Sequence, residues 1–234
     1  MKGRAVLEGA VTEKNEELDM NLILLGPPGA GKGTQARLLV DNLGVTQIST
    51  GEILRETSKK RTQLGLKIDE FLKAGKLVPD DIVNDIIREK IKKTNFEKGF
   101  ILDGYPRTVK QAQALDMIVE EIDGQIDHVI HFDLDEDNIV ERISGRRQCR
   151  QCGKGYHVRF APPREEGICD RCGGALFQRK DDKKEVIKER LKIYEKQNEL
   201  LVDYYKKRGK LCHVQGHGST DEVHKKVMKI LEQS

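Results

Sequence analysis

At 234 residues the chain is long enough for one hydrophobic core carrying an insertion or two. Its 42 basic and 39 acidic residues leave a net charge of +3, too weak a field to argue for nucleic acid or an anionic membrane as the main partner. No run reaches the roughly 20 apolar residues of a membrane helix, and the opening MKGRAVLEGAVTEKNEELD lacks the apolar centre of a secretory signal, so a soluble cytoplasmic protein is the expectation.

Met20 begins MNLILLG, and residues 1–19 are read as an extension outside the fold. Asn21–Gly26 is a short apolar run ending in glycine, the pattern of a buried parallel strand entering a loop. A helix is predicted from about Gly31 to Leu43, with Leu38, Leu39 and Leu43 inward, then a strand over Val45–Ser49. Helical patterns follow near 51–59, 62–74 and 80–94, a strand over Gly99–Asp103, and a helix near 108–122. Asp127–Leu134 reads as a strand and 136–144 as a helix. The longest helix runs from about 183 to 207, where Ile187, Leu191, Tyr194, Leu201 and Tyr205 make one apolar stripe beside which Arg190 lies. Lys210–Gln215 and Thr220–Glu232 close the chain as strand and helix. Strands alternating with helices predict an α/β fold whose central parallel sheet is covered on both faces. Two stretches break the alternation. Residues 49–78 are all helical, and 145–182 are rich in Gly, Pro, Cys and Arg with scarcely any helical period. Both are read as inserted subdomains in a core made of 20–48, 79–144 and 183–234.

The stretch Gly26–Thr34, GPPGAGKGT, lies between the first strand and the first helix. Glycines there let the backbone N–H groups of Gly29, Ala30 and Gly31 turn inward, and the helix N-terminus adds partial positive charge, together an anion cradle. Lys32 would reach the β- and γ-phosphates of a nucleotide. The usual loop follows its lysine with Ser or Thr to ligate magnesium; here Gly33 stands in that place and Thr34 arrives one residue late. The ion must then be held by the nucleotide, water and a carboxylate behind the water. Asp103, at the end of the strand FILD, is the candidate, with a plain strand-end turn before Gly104 as the competing reading.

Cys149-x-x-Cys152, sixteen residues, then Cys169-x-x-Cys172 has the spacing of a tetrahedral sulfur site. Two disulfides are the competing account, disfavoured in a reducing compartment. Zinc is the expected ion, and iron or cobalt would fit the same cage. Four sulfurs leave no open position, so the metal's role is structural, in a segment with few apolar residues of its own. Cys212 reads as a small buried hydrophobe on a strand.

The loop GPPGAGKGTQ resembles that of the nucleoside monophosphate kinase family, in which glycine follows the lysine. STGEILR (Ser49–Arg55), LDGYPRT (Leu102–Thr108), GRR (Gly145–Arg147) and RKDD (Arg179–Asp182) resemble further signatures of that family, in its order, across residues 20–234. The insertion at 145–182 resembles the lid of its bacterial long forms. The resemblance implies a P-loop three-layer fold with a helical monophosphate-binding subdomain at 49–78 and a metal-bearing lid at 145–182. It implies a monomer that moves a phosphoryl group reversibly between ATP and AMP, giving two ADP, with Mg2+ on the donor phosphates. Arg55 and Arg107 would hold the acceptor phosphate, Arg142 and Arg146 would face the donor, and Arg179 and Arg190 would close on the group in flight. Thr50 and Gln111 would contact the acceptor adenine, with Gly104 and the backbone of Val78 completing that pocket. The donor base would rest near Arg146 and Tyr156, with the backbone of Gly218 at its edge.

Such a transfer needs positioning and cations around two mutually repelling polyanions rather than a general base. It must also exclude water, which lid closure does, and Asp181 and Asp182 stand ready to pair with the arginines on closing. Two readings compete locally. Ser49 with Glu52, and Thr108 with Gln111, also fit helix capping boxes, so Thr50 and Gln111 could be helix-start chemistry. GTP as donor, or UMP/CMP as acceptor, is the nearest alternative function. A zinc-ribbon module gripping nucleic acid is the distant one, weakened by the scarcity of interleaved aromatics beyond Tyr156, Phe160 and Phe177.

Overall fold

The computed structural model describes residues 20–94, 96, 98–134 and 139–233. The expected extension at 1–19 and the start of the 136–144 helix lie outside the described residues. Five parallel strands form the central sheet: β1 (Leu22–Leu25), β2 (Thr46–Ser49), β3 (Phe100–Asp103), β4 (His128–Asp133) and, pairing with β4 at the edge, a strand numbered β8 (Leu211–Gln215) in chain order. Their spatial order is β2-β3-β1-β4-β8, which puts β1 and the loop that follows it at the centre.

Alternation along β1 sorts its side chains into two cores. Ile23 and Leu25 pack on one face with Val83 and Ile87 of α4 (Asp80–Lys93), Leu115 and Ile118 of α5 (Val109–Glu120), and Leu201 and Tyr205 of α7 (Lys184–Lys206). Leu22 and Leu24 pack on the other with Ala36 and Leu39 of α1 (Lys32–Leu43) and with Val223 and Val227 of α8 (Thr220–Leu231). A strand buried on both faces must be apolar throughout, which is why LILL carries no polar residue. All five strands run the same way, so their carboxyl ends gather the phosphate loop, Ser49, Asp103 and Asp133 along one edge of the sheet, where ligands of such folds bind.

Between β2 and α4 the chain makes the helical pair α2 (Thr50–Lys59) and α3 (Gln63–Ala74), the latter capped by the Thr62 hydroxyl accepting from Gly65 N–H. After α6 (Ile139–Ser144), residues 146–177 form a second, antiparallel sheet in the order β6-β5-β7 from β5 (Arg146–Cys149), β6 (Gly155–His157) and β7 (Leu176–Phe177). No strand is predicted there from the sequence. Elements of two to four residues show no period, and their register comes from the cysteine knuckles between them.

Several local expectations change. On α1, Ala36 and Gln35 are buried with Leu39, whereas Leu38 and Leu43 are only half-buried, because the helix turns its Gln35–Leu39 side to the sheet. Cys212 is half-buried rather than a core residue, since β8 is an edge strand. Ser49 makes no side-chain cap. It is the last residue of β2, paired with Asp103 before the helix starts. The S-x-x-E box forms instead at Ser219 and Glu222, ahead of α8. Thr108 does accept from Gln111 N–H, but the Gln111 side chain reaches Arg107 N–H instead of closing the box on Thr108.

Candidate active site and metal centre

The phosphate loop places Gly29 and Gly31 at φ +85, a left-handed backbone that side-chain-bearing residues avoid. A Cβ at Gly31 would meet nothing within 4 Å, so its open side faces the space an anion would fill. Lys32 Nζ donates to the carbonyls of Gly26 (2.7 Å) and Pro27 (2.8 Å) of its own loop. Burial holds its pKa down to about 7, with Arg107, Arg190 and Arg146 adding to the effect and Asp103 opposing it. The ammonium therefore lacks a strong anionic partner. Gly33 is explained by its neighbour, for a Cβ there would lie 3.2 Å from Asp103 Oδ2. The carboxylate occupies the flank on which a Ser or Thr side chain would stand. Gln47 Nε2 donates to the same oxygen at 3.3 Å, fixing the carboxylate toward the loop while leaving lone pairs for water.

A cavity of about 710 Å³ opens over this loop. Every sequence-predicted nucleotide residue lines it. From the loop come Gly29 to Thr34, and from the helical insertion Thr50, Arg55 and Val78. Asp103, Gly104, Arg107 and Gln111 line it from β3 onward, Arg142, Arg146 and Tyr156 from α6 and the small sheet, and Arg179, Arg190 and Gly218 from the remainder. The acids on the same wall are Glu52, Asp103, Asp181 and Asp221, well short of the cations. Burial, and then Arg179, push Arg55 down to about 9. Arg190 is pushed to about 10 by burial and by Arg107, Arg146 and Arg179. Arg107, although open to the cavity, is lowered by the enclosing walls and by Arg179. Guanidinium groups keep their protons, so the walls of the cavity hold clustered positive charge away from bulk water.

Two aspartates hold the ring together. Asp181 accepts from Arg179 (Nη2 to Oδ2, 3.2 Å) and from Arg190 (Nη1 to Oδ2, 3.1 Å). Although burial alone would raise it, Arg179, Arg190 and Arg55 drive its carboxyl far below the usual range. Asp182, wholly buried, takes Arg146 bidentately (Nε at 2.9 Å and Nη2 at 2.5 Å) with Arg190 at 3.7 Å. The expected pairing of both acids with the arginines is thus present.

The two base-contacting candidates differ. Thr50 is buried and its hydroxyl has no hydrogen-bond partner, one of two such side-chain atoms among the described residues. An orphaned buried hydroxyl on a cavity wall is suited to a ligand. Gln111 is already bonded at both ends: its Oε1 accepts from Arg107 N–H (2.7 Å) and its Nε2 donates to Asp80 Oδ1 (2.7 Å). It buttresses the loop carrying Arg107, and its second N–H and second oxygen lone pair remain for a base at the cavity wall. Gly104 at φ +83 lets the Arg107 guanidinium fold back, its Nε donating to the Gly104 carbonyl at 2.9 Å. Tyr156 reaches the cavity wall, but its ring packs with Cys149 and Cys169 and its hydroxyl lies 3.4 Å from Cys169 Sγ.

The four cysteine sulfurs lie within 4.8 Å of one another. Cys149–Cys172 and Cys152–Cys169 are 3.5 and 3.6 Å apart, far from the ~2.05 Å of a disulfide. All are free thiols, so the disulfide reading falls. An ion with sulfurs at ~2.3 Å in a tetrahedron needs them about 3.8 Å apart, so the cage fits a metal of zinc's size. Burial would raise Cys169, but the Tyr156 hydroxyl and the Arg171 and Cys172 N–H groups bring it down to about 6, favouring a thiolate.

The sequence profile of the adenylate kinase family matches residues 24–210. Adenylate kinase of Methanosarcina barkeri is 50% identical over 213 residues, covering 91% of this chain and 99% of that protein. The Archaeoglobus fulgidus enzyme is 50% identical over 213 residues (91% and 98%), and that of Caldicellulosiruptor bescii 48% over 212 (91% and 99%). The chain belongs to the adenylate kinase family.

Within this adenylate kinase framework three supporting residues were missed from the sequence. Asp80 accepts from both Gln111 Nε2 and the Thr108 hydroxyl (3.0 Å), tying α4 to α5 beneath the cavity. Gln47 orients Asp103, and Arg37 donates across to the Gly153 carbonyl at the cysteine lobe (3.3 Å). Only Asp80 had a local signal, its place after Pro79 at a helix start, and that signal names a cap rather than a buttress. Among the described residues no helix is long and apolar enough to cross a membrane.

Proposed function

We propose that the protein catalyses the reversible transfer ATP + AMP = 2 ADP, with the phosphate loop holding the donor and the α2–α3 side holding the acceptor. The observation that carries the reading is the cavity in which Lys32 and a ring of arginines, outnumbering the acids beside them, face one another. Polyanions brought end to end repel, and only such a ring offsets that repulsion along the path of the transferred group.

In this reading Lys32 leaves its own carbonyls for the donor β- and γ-phosphates. Arg142 and Arg146 neutralise the donor, Arg55 and Arg107 grip the acceptor phosphate, and Arg179 and Arg190, held by Asp181, cover the group between them. Thr50 gives its unpaired hydroxyl to the acceptor adenine, with Gly104 and the Val78 backbone beside it, while Gln111 keeps the Arg107 loop in place and offers its second N–H and lone pair to the base. Gly218 borders the donor base, and Tyr156 serves it from behind as part of the lobe wall. Asp103, oriented by Gln47 next to Gly33, would hold Mg2+ through water, and the ion supplies neutralisation of the donor phosphates. Cys149, Cys152, Cys169 and Cys172 would hold structural Zn2+, or iron or cobalt in the same cage, in a cytoplasm that keeps thiols reduced. The lobe at 145–182 and the helical pair within 49–78 act as lids that exclude water on closing, gating of which the adenylate kinase lid is itself a standard example.

A coupled assay of ADP formation tests the reading. ATP with AMP should turn over rapidly as a monomer, ATP alone should not, and Arg107→Ala should cost about a hundredfold or more. Equal ATP consumption with and without a monophosphate would overturn it. GTP as donor and UMP or CMP as acceptor, run in parallel, decide the base preference.

A further inference from the structure

His131 on β4 and His213 on the edge strand β8 are direct partners in the parallel register, their ring centroids 5.3 Å apart. Asp133 lies two residues along β4 and so points to the same side. Its carboxylate meets both imidazoles, Oδ1 lying 2.8 Å from His131 Nδ1 and Oδ2 3.1 Å from His213 Nδ1. The far nitrogen of His131 faces α7, Nε2 lying 2.9 Å from Asn198 Oδ1 and 3.2 Å from the Tyr194 hydroxyl. When Nε2 donates to the Asn198 oxygen, Nδ1 presents its lone pair beside the carboxylate, and the ligand atoms of His131, Asp133 and His213 all lie within 4.8 Å of one another.

We propose that His131, Asp133 and His213 form a second metal site, for a late divalent transition ion such as zinc or nickel, separate from the four-cysteine centre. Two imidazoles and one carboxylate suit such ions and not magnesium. Asn198 and Tyr194, within hydrogen-bond reach of His131 Nε2, are outer-shell partners of the kind that metal-bound histidines regularly have. Tetrahedral ligation at ~2.0–2.1 Å needs donors about 3.3 Å apart. The present 2.8 and 3.1 Å separations need widen only by tenths of an ångström. The His213 side chain, 53% exposed, is free to supply that movement, whereas His131 at 6% anchors the site from within. The bound ion clamps the sheet's edge strand to its neighbour, and water completes the shell.

The test uses tag-free protein whose cysteines are already filled with zinc, titrated with Ni2+ by calorimetry and with Co2+ by visible absorption. A second equivalent should bind, with a cobalt spectrum lacking thiolate charge transfer, and should raise the melting temperature. It should be lost in His213→Ala and Asp133→Asn, and Asn198→Ala should bind it about 10- to 100-fold more weakly. No second equivalent, a thiolate band, or full binding by His213→Ala would overturn the proposal.

Discussion

Lys32 is the residue whose chemistry the cavity alters most. Its pKa near 7 means that between pH 7 and its ordinary 10.5 the unfolded chain holds more protons at this position than the folded one. Its contribution to stability accordingly rises with pH over that window, while its fitness to bind phosphate falls. At pH 8 nucleotide binding should therefore take up about one proton, seen as a dependence of calorimetric heat on buffer ionisation, and affinity should weaken by up to about tenfold per pH unit above 7. Lys32→Met should bind without that uptake. Thr50 makes the complementary case. Thr50→Val removes an unpaired buried hydroxyl, so folding stability should be unchanged or slightly improved. Acceptor KM should rise by about tenfold, the worth of one hydrogen bond, with donor KM unmoved. A loss of stability with no change in KM would make the hydroxyl a structural one.

Between α6 and α7 the cysteine lobe leaves and rejoins the core through Arg146 and Asp182, and the two are locked together. Asp182→Ala strands a guanidinium. Breaking a wholly buried pair costs about 3–5 kcal/mol, but Arg146 is 30% exposed and solvent screens it, so about 2–3 kcal/mol is expected. That is a fall of roughly 4–12 °C in melting temperature for a chain of this size. The lobe's own apolar cluster is small, Cys149, Tyr156 and Cys169 with Leu176. On the proposed reading a metal held by the four cysteines supplies the rest. An ion present at ~1,000 times its Kd contributes about 4 kcal/mol, or roughly 8–16 °C. Chelated protein should lose that much and exchange its 146–177 amides faster, while unchanged melting would remove the structural role.

Across the molecule, local signals and assembled geometry divide cleanly. LILL and the apolar stretches of FILD and HVIHFD announce a parallel sheet because a strand covered on both faces has little room for polar side chains. Those fall at the strand ends, apart from the buried His131. The loop glycines and the paired cysteines announce their chemistry because φ near +85 and a four-sulfur cage each admit few residue types. These are demands made within a few residues, and they are written in the order of the chain. What Gln111 bonds to is not, for its partner Asp80 lies 31 residues away and adds a buttressing role to an adenine candidate. The capping motif at Ser49 is silent because strand pairing claims its backbone first, while the same motif at Ser219 closes. Tyr156 turns into the sulfur lobe, and His131, Asp133 and His213 meet only because β4 and β8 pair in one particular register. Residue type and spacing set which chemistry the chain can hold. Packing between distant segments decides which side chains remain unpaired to perform it, because each donor and acceptor goes to the partner that folding brings within reach.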